Sequence, residues 1–438
     1  MAHVNLALFD LPKTNGEANK IDPLDLPIHD WYRFVLSFPP HLVRKYMKKF
    51  GMNDQSVVLD PFCGTGTTVV ECKKNGIPAI GIEALPRPYF ASMVKTDWEI
   101  HPEDLRYHAN RIAEKAIANL RENGIQDDPA RNSCGHNGLR VLPSESQRLL
   151  LKDSISPIPL HKTLVLLDAI RSDNETKFRN HELLALAKAL VTTIGNLRFG
   201  PEVGLGTIKR DAPVIGPWLT NVETMARDLA MVSNRLNTRV EVHQGDARNV
   251  HLILDSKQID GVFTSPPYPN EKDYTRTTRL ESVLLGFVRN LAELRSLKKN
   301  LIRSNTRGVY KGDKDDIWVS EHAEIHRIAT EIERRRIEQG KTSGFERLYH
   351  RVTKLYFGGI AQHLASLRPI LRPGAFLGYV VGDQASYLRV MIRTGQLIAE
   401  IADSLGYKVE SIDLFRTRLA TATGEQLREE VVVLRWPG

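Results

Sequence analysis

The stretch VVLDPFCGTGTTVVECKKNG, residues 57 to 76, has the pattern of a strand, a glycine-containing turn and a helix. Its apolar start ends at Asp60, and Gly64 and Gly66 permit a tight turn in which a ligand can approach the backbone. Thr67 can cap the helix that follows, whose free N–H groups would then face that ligand. The Lys-Lys-Asn-Gly at the end is typical of a helix C-terminus. The stretch therefore predicts a strand, turn and helix unit with a ligand at the turn.

Short apolar runs bounded by turn residues are candidate strands. They cover residues 56–60, 78–83, 238–244, 260–264, 374–382, 408–415 and 430–436. Helical patterns separate most of these runs, which predicts an α/β fold with a doubly wound, mainly parallel seven-stranded sheet. No helical pattern separates the last two runs, and ATATGEQ (420–426) supplies turn residues there. We therefore expect an antiparallel pair at one edge of the sheet.

The connections between the candidate strands differ greatly in length. More than a hundred residues separate the second run from the third, and their helical patterns predict a large helical insertion at 99–224. The remainder, 1–98 and 225–438, is expected to form the main domain. A second long connection, 289–345, begins with a run that holds seven basic residues and one acidic residue between Arg289 and Lys311. This basic run is either a solvated helical face or a surface that contacts phosphate groups.

The composition narrows the class of protein. Of the 438 residues, 42% are hydrophobic and 26% are charged, which is enough apolar content for a large core. Lys and Arg number 60 against 52 Asp and Glu, and the formal charge of +8 is compatible with a polyanionic partner. No window approaches the roughly 20 consecutive apolar residues of a membrane span, so we expect a cytoplasmic protein. Cys63, Cys72 and Cys134 lack metal-ligand spacing, so no metal site is expected.

Acidic residues follow three successive candidate strands. Asp60 ends the first strand, Glu83 ends the second, and Asp246 follows the third. At such positions Glu83 could accept hydrogen bonds from ribose hydroxyls, and Asp246 could accept one from the exocyclic amine of an adenine ring. Ordinary capping of strand ends explains each residue alone. The three together indicate a nucleoside-like ligand at the carboxyl edge of the sheet.

The stretch TSPPYPN, residues 264 to 270, directly follows the apolar run DGVF. Proline removes a donor from a strand ladder, so both prolines must lie at the carboxyl end of the strand or just beyond it. In an open α/β sheet that edge is where ligands bind. The prolines stiffen the backbone and fix the direction of Tyr268. The segment is therefore expected to hold a flat group.

Several of these stretches together resemble one known family. DPFCGTGTT (60–68), GIEALP (81–86), GDAR (245–248), TSPPY (264–268) and LRPGAFLGYVVGD (371–383) are similar to motifs of the S-adenosylmethionine-dependent DNA methyltransferases that modify exocyclic amines. Upstream, HDWYRFVLSFPPHLV (29–43) is similar to the element that covers the methionine half of the cofactor. The resemblance implies a Rossmann-like methyltransferase fold and S-adenosyl-L-methionine as cofactor. It covers roughly 29–98 and 225–436 and leaves the insertion unmatched.

The resemblance also implies which residues form the site. The expected cofactor-binding residues are Asp60, Pro61, Phe62, Cys63, Gly64, Gly66, Thr67, Glu83, Ala84, Asp246 and Ala247. The expected catalytic residues are Ser265, Pro266, Pro267 and Tyr268.

The chemistry expected of the catalytic segment follows from the substrate. An aromatic amine is a poor nucleophile because its lone pair is delocalised into the ring. If the Ser265 hydroxyl and the Pro266 carbonyl accept hydrogen bonds from that amine, its lone pair can point at the methyl group. Tyr268 supplies a face on which a base extruded from the duplex can stack.

Serine at position 265 resembles the cytosine-N4 group of the family, whereas aspartate is commoner among adenine-N6 enzymes. Methylation of carbon 5 of cytosine needs a thiolate that usually follows a proline, and the chain contains no Pro-Cys. The first hypothesis is thus a cytosine-N4 DNA methyltransferase. The alternatives are an adenine-N6 DNA methyltransferase, an RNA or protein methyltransferase of the same fold, and a catalytically silent nucleic-acid-binding subunit.

The expected partner is double-stranded DNA, with a cognate restriction endonuclease as a further possible partner. Lys298, Lys299, Arg303 and Arg307 of the basic run are the expected phosphate contacts. Sequence choice is assigned to the helical insertion at 99–224, which the resemblance does not explain. The recognition sequence and the oligomeric state do not follow from the sequence.

Overall fold

The computed structural model describes residues 21–33, 37–132, 138–199, 203–233, 237–255, 258–419 and 424–438. Its strands are β1 (Val58–Asp60), β2 (Ala79–Glu83), β3 (Leu197–Phe199), β4 (Val203–Leu205), β5 (Val240–Gln244), β6 (Ile259–Thr264), β7 (Leu371–Gly382), β8 (Lys408–Leu419) and β9 (Gln426–Arg435). Seven of them form one sheet in the order β5-β2-β1-β6-β7-β9-β8, and β3 and β4 form a separate hairpin.

The main sheet confirms the predicted α/β architecture. The β1, β2, β5, β6 and β7 strands pair in parallel. The last strand in the chain, β9, runs antiparallel between β7 and β8, which gives the antiparallel edge expected from the sequence. Each of the seven predicted apolar runs corresponds to one of these strands. The turn predicted at 420–426 lies mainly outside the described residues, because 420–423 are not among them.

Helices cover both faces of the sheet. The longer helices are α1 (Pro40–Lys49), α2 (Thr67–Lys74), α3 (Pro86–Thr96), α4 (Pro102–Glu122), α5 (Pro157–Arg171), α6 (Arg179–Ala189), α7 (Ile215–Met231), α8 (Leu291–Lys299), α9 (Ala323–Glu338), α10 (Tyr349–Leu367) and α11 (Thr394–Ser404). Shorter helical segments are Leu26–His29, Ser144–Gln147, Val250–Leu254, Tyr274–Thr277 and Arg279–Leu284. Among the described residues, no helix combines the length and apolar character needed to cross a membrane.

The sheet separates two hydrophobic cores because consecutive residues of a strand point to opposite faces. In β1, Val58 packs in the core that contains α1 and α2, and its neighbour Leu59 packs in the core that contains α9, α10 and α11. In β6, Phe263 packs in the same core as Val58, and its neighbour Val262 packs in the same core as Leu59. Both faces of the parallel strands are thus covered by helices, as a doubly wound sheet requires.

The region between β2 and β5 forms a third core. Apolar residues of α4, α5, α6 and α7 pack there together with α3 and the helix Arg279–Leu284. Helix α7 continues to Met231, beyond the boundary expected at residue 224, and its Met225 and Leu229 belong to this core.

The hairpin of β3 and β4 also lies in this region, and the sequence analysis did not predict it. Each of its strands has three residues and a glycine falls within β4, so neither shows a periodic pattern.

Candidate functional site

A cavity of about 560 Å³ lies at the carboxyl edge of the sheet. The turns after β1, β2, β5 and β6 meet there because the four strands are parallel. Most of the predicted site residues line this cavity. They are Pro61, Phe62, Cys63, Gly64, Thr67, Glu83, Ala84, Asp246, Ala247, Ser265, Pro266, Pro267, Tyr268, Lys298 and Arg303.

Asp60 and Gly66 were predicted to bind the cofactor, and the structure places them beneath the cavity wall. The buried carboxylate of Asp60 accepts from Thr264 Oγ1 at 2.5 Å and from Phe62 N–H at 3.2 Å, which ties the ends of β1 and β6 together. Gly66 has a φ of 87° and lies against α3, where an added Cβ would be 3.0 Å from Ser92 Oγ. These two residues therefore shape the turn from behind.

The glycine turn is fixed by its neighbours. Ser92 Oγ donates to Gly64 O at 2.6 Å, and Lys95 Nζ donates to Thr65 O at 2.8 Å. Lys95 is buried, and burial lowers the pKa of its ammonium group to about 7. A turn held from both α3 and the adjoining strand is preorganised for a ligand.

Glu83 connects β2 to the glycine turn. Its carboxylate accepts from Gly64 N–H at 3.0 Å and from Leu85 N–H at 2.7 Å. Burial raises the pKa of Glu83 to about 7, although these hydrogen bonds oppose the shift. The two bonds occupy two of about four acceptor positions on the carboxylate, so it retains acceptor capacity beside the cavity.

Asp246 binds a neighbouring arginine. Its carboxylate accepts from Arg248 Nε at 3.0 Å, from an Arg248 terminal nitrogen at 2.6 Å, and from Arg248 N–H at 2.9 Å. Arg248 also donates to Asp315 Oδ2 at 2.6 Å and to Lys299 O at 3.1 Å. In this arrangement Asp246 holds Arg248, and its predicted contact with an adenine amine stays a prediction. The sequence analysis missed Arg248 and Asp315, although Arg248 stands within the GDAR motif.

The part of the cavity next to the glycine turn fits a nucleoside. Glu83 offers a partly buried acceptor suited to the hydroxyls of a ribose, and the turn at Gly64 exposes backbone to a ligand. Ala84, Leu85 and Ala247 line the wall with small or apolar side chains that leave room for a flat ring. The upstream element contributes Ser37 and Phe38, while its residues 34–36 lie outside the described residues.

A buried network anchors that upstream element to α2. Glu71 accepts from His29 Nε2 at 2.8 Å and from Arg44 at 2.6 Å, and Arg44 also binds Asp25. Although burial alone would raise it, the pKa of Glu71 falls to about 2 because of His29, Lys74 and Arg44. The sequence analysis missed this network, whose partners are far apart along the chain.

The catalytic segment leaves the end of β6 as predicted. Ser265 Oγ donates to Val380 O of β7 at 2.9 Å, so the hydroxyl proton is engaged and its lone pairs are available as acceptors. Burial together with Glu429 raises the pKa of the Tyr268 phenol well above its ordinary value. The Tyr268 ring packs on Gly382 of β7, where an added Cβ would lie 3.2 Å from Tyr268 Cε2.

Two of the predicted phosphate contacts, Lys298 and Arg303, form ion pairs within the protein. Lys298 pairs with Asp273 at 2.6 Å and its side chain is 12% exposed. Arg303 is 4% exposed, pairs with Asp313 at 2.8 Å, and donates to Lys298 O at 3.0 Å. These cations help to fold the segment that covers the cavity, and their predicted role as phosphate contacts stays a prediction. Their carboxylate partners neutralise them within the protein.

The other two members of the basic run remain available. Lys299 and Arg307 are exposed, and Arg307 lies 5.4 Å from the centroid of the Phe345 ring. Their predicted role as phosphate contacts stays a prediction.

Comparisons with known proteins show which proteins the chain is similar to. Residues 9–90 match the model of the N6 and N4 methyltransferase family, described as DNA methylase. The chain is 27% identical to the Type II methyltransferase M.BsoBI of Geobacillus stearothermophilus, over 98% of this chain and 87% of that protein. It is 25% identical to the Type II methyltransferase M.AvaI of Nostoc sp., over 96% of this chain and 88% of that protein. The Type II methyltransferase M.MjaII of Methanocaldococcus jannaschii is 22% identical over 56% of this chain and 60% of its own length.

Proposed function

We propose that the chain is a DNA amino-methyltransferase that methylates N4 of cytosine at a specific sequence in double-stranded DNA. The methyl donor of the family is S-adenosyl-L-methionine, which supplies an electrophilic methyl group bound to a positively charged sulfur. The residues that would hold it are those of the glycine turn together with Glu83, Ala84, Asp246 and Ala247.

The observation that carries the proposal is the hydrogen bond from Ser265 Oγ to Val380 O. Because this bond uses the serine proton, Ser265 meets an amine as an acceptor. The Pro266 carbonyl is expected to accept the second N–H of the same amine. Two acceptors on one nitrogen draw it toward pyramidal geometry, and its lone pair becomes free to attack.

The fate of the proton follows from the same arrangement. As the amine nitrogen forms its new bond to carbon it becomes positive, and its N–H groups become more acidic. The two acceptor oxygens stabilise that charge, and one proton then leaves to solvent. Neither acceptor needs to bind a proton permanently, so the step does not depend on a carboxylate at position 265.

Access to Ser265 requires the target base to leave the duplex, because an exocyclic amine within a base pair cannot reach the bottom of a cavity. Tyr268 is proposed to stack on the extruded base. Its ring is held by the close approach to Gly382, and its backbone N–H donates to the Tyr274 hydroxyl at 3.3 Å.

Two wider assignments belong to the same proposal. The named relatives are Type II methyltransferases, which supports a role in a restriction-modification system with a cognate endonuclease. The main domain, 1–98 and 225–438, is proposed to bind the cofactor and catalyse, and the insertion at 99–224 is proposed to choose the sequence. The connection at 289–345 is proposed to contact DNA through Lys299 and Arg307.

The test is nucleoside mass spectrometry of DNA from a host without its own amino-methyltransferases that expresses the chain. We expect N4-methylcytosine, and we expect none in a host that expresses Ser265→Ala. Sequencing of the same DNA with detection of modified bases gives the recognition sequence. N6-methyladenine alone would replace the proposal by the adenine alternative, and cofactor binding without any DNA modification would favour RNA.

A further inference from the structure

We propose that Arg416, held by Glu429, recognises the target cytosine by donating hydrogen bonds to its O2 and N3 atoms. This inference rests on the proposed function, since it concerns the base that Ser265 and Tyr268 would receive. It assigns a specificity role to a strand pair that lies outside the glycine turn and the catalytic segment.

The first observation is a bulge in β8. Leu414 pairs with Glu430 and Arg416 pairs with Glu429, so Phe415 is an extra residue in the ladder. Successive side chains of a regular strand point to opposite faces. Here Phe415 and Arg416 both line the cavity. Bulges occur next to active sites, where they redirect a side chain, and this one turns Arg416 toward the cavity.

The second observation is how Arg416 is held. Its Nε donates to Glu429 Oε2 at 2.5 Å, with side-chain exposures of 20% for Arg416 and 9% for Glu429. A charge-assisted bond in so closed a place fixes the plane of the guanidinium group. This bond uses one of the five N–H donors of the group. Arg416 is thus presented as an oriented donor.

The third observation is the position of this pair relative to the catalytic segment. An added Cβ at Gly382 would be 3.2 Å from both Tyr268 Cε2 and Glu429 Cγ, so the ring and the carboxylate side chain lie next to each other. Arg416 lines the same cavity as Ser265 and Tyr268. A base stacked on Tyr268 with its amine at Ser265 would therefore have Arg416 near its remaining polar edge.

Cytosine and adenine differ in the polar atoms that they would present to Arg416. Beside its amine, cytosine carries two acceptors, N3 and O2, and a guanidinium fork can donate to both. Adenine carries one acceptor, N1, beside its amine, and a C–H stands where cytosine has O2. A closed site that presents a donor to a C–H leaves that donor unpaired, which disfavours the wrong base. Arg416 would thus select cytosine over adenine.

The experiment uses the full-length protein and duplexes that contain its recognition sequence, with either cytosine or 2-thiocytosine at the target position. Sulfur is a much weaker acceptor than oxygen, so 2-thiocytosine weakens the proposed contact at position 2. We measure kcat/KM for the unsubstituted protein, for Arg416→Met, and for Arg435→Met as a matched control. Arg435 is an exposed arginine of the same strand pair at the opposite end of β9.

The expected result is a loss of about tenfold on 2-thiocytosine for the unsubstituted protein and for the Arg435→Met control, the size of one lost hydrogen bond to a charged group. Arg416→Met loses both contacts, so it should lose more than tenfold on cytosine and show no further loss on 2-thiocytosine. Damage to the sheet alone would lower kcat/KM equally on both duplexes, so the ratio of the two values would not change. A preference for cytosine that persists in Arg416→Met, or no preference in the unsubstituted protein, would overturn the inference.

A second variant covers the case in which Arg416→Met fails to fold. Arg416→Lys retains the charge beside Glu429 but removes the planar fork. It should bind cofactor normally and show a reduced ratio of cytosine to 2-thiocytosine turnover. An unchanged ratio in Arg416→Lys would also count against the inference. Detection of N6-methyladenine alone in host DNA would instead overturn the proposed function, before any of these duplexes is tested.

Discussion

The cavity has a cofactor half, formed by the glycine turn with Glu83 and Ala84, and a DNA-facing half, formed by the catalytic segment and the basic run that begins at Arg289. The sequence determines the first half more directly than the second. In the glycine turn, function depends on backbone conformation, and Gly64 and Gly66 both adopt the positive φ that the motif predicts. In the segment covering the cavity, function depends on which charges are already neutralised. Lys298 and Arg303 have carboxylate partners, whereas Lys299 is exposed. Local conformation can be read from a motif, but charge neutralisation is a property of the folded chain.

The largest expected effect is in the cofactor half. Gly66→Val should abolish binding of S-adenosyl-L-methionine, because a branched side chain at a φ of 87° would collide with Ser92 and displace the turn. Isothermal titration calorimetry measures the affinity, and circular dichroism checks that the protein is folded. Gly340→Val is the control, since Gly340 also has a positive φ but has no atom within 4 Å of an added Cβ. Equal effects in both variants would show that backbone strain alone is responsible.

The same contrast explains how much of the fold could be predicted. The seven strands of the main sheet are apolar runs bounded by turn residues, so each had a local signal. The β3 and β4 hairpin had none, because strands of three residues are too short for a period of two to appear. Helix α7 was divided at residue 224 because its amphipathic pattern does not reveal which core its apolar face joins.

Some residues of the site could be predicted from the sequence and others could not. Ser265 and Tyr268 could be placed because proline fixes where a strand ends. The bond from Arg248 to Asp315 could not be predicted, since it joins residues 67 positions apart. Arg416 was missed because its approach to the cavity depends on a bulge in the register of β8 and β9. Periodicity assumes an undisturbed ladder, so it points such a residue to the wrong face.

The next largest effect is expected at Tyr268, which lies where the two halves of the cavity meet. Tyr268→Ala should lower kcat by roughly 5- to 150-fold, the equivalent of about 1–3 kcal/mol of stacking on the target base. Tyr268→Phe keeps the ring and loses only the hydroxyl group, so its loss should stay below about tenfold. Affinity for S-adenosyl-L-methionine should change little in both. Equal losses of kcat in the two variants would assign the effect to the hydroxyl group.

A smaller effect tests the DNA-facing half. The double variant Lys299→Gln and Arg307→Gln should flatten the dependence of log affinity on log salt by up to about 1.8, because each phosphate that a cation no longer neutralises changes the slope by about 0.9. Specific and non-specific binding should weaken alike, with the recognition sequence unchanged. Fluorescence anisotropy across a series of salt concentrations measures the slope.

The matched control for this charge change is Lys408→Gln with Arg435→Gln. These two residues are cross-strand partners at the end of β8 and β9 remote from the cavity. The control should keep the salt slope of the unsubstituted protein. If the two double variants had the same slope, Lys299 and Arg307 would be solvated charges without a role in DNA binding.

The smallest expected effect is the pH dependence of cofactor affinity, which returns to the cofactor half. Burial raises the pKa of Glu83 to about 7, so the side chain is mostly protonated at pH 6 and mostly ionised at pH 8. Hydroxyl groups donate preferentially to the ionised form, so binding and ionisation are linked. Affinity should therefore rise as pH rises through 7, by up to about tenfold between pH 6 and pH 8, since the ionised fraction changes by that factor for a pKa near 7.

Two comparisons assign this dependence to Glu83. Glu83→Gln should bind more weakly and lose the pH dependence above pH 7. Asp60, whose pKa burial raises to about 6, titrates over a lower range and should affect the curve chiefly below pH 7. In the protein without cofactor the sign is opposite: a carboxyl whose pKa is raised by folding favours the folded state at low pH, and that contribution is lost as pH rises toward 7. The same pH dependence in Glu83→Gln as in the unsubstituted protein would exclude Glu83 as the acceptor of the ribose hydroxyls.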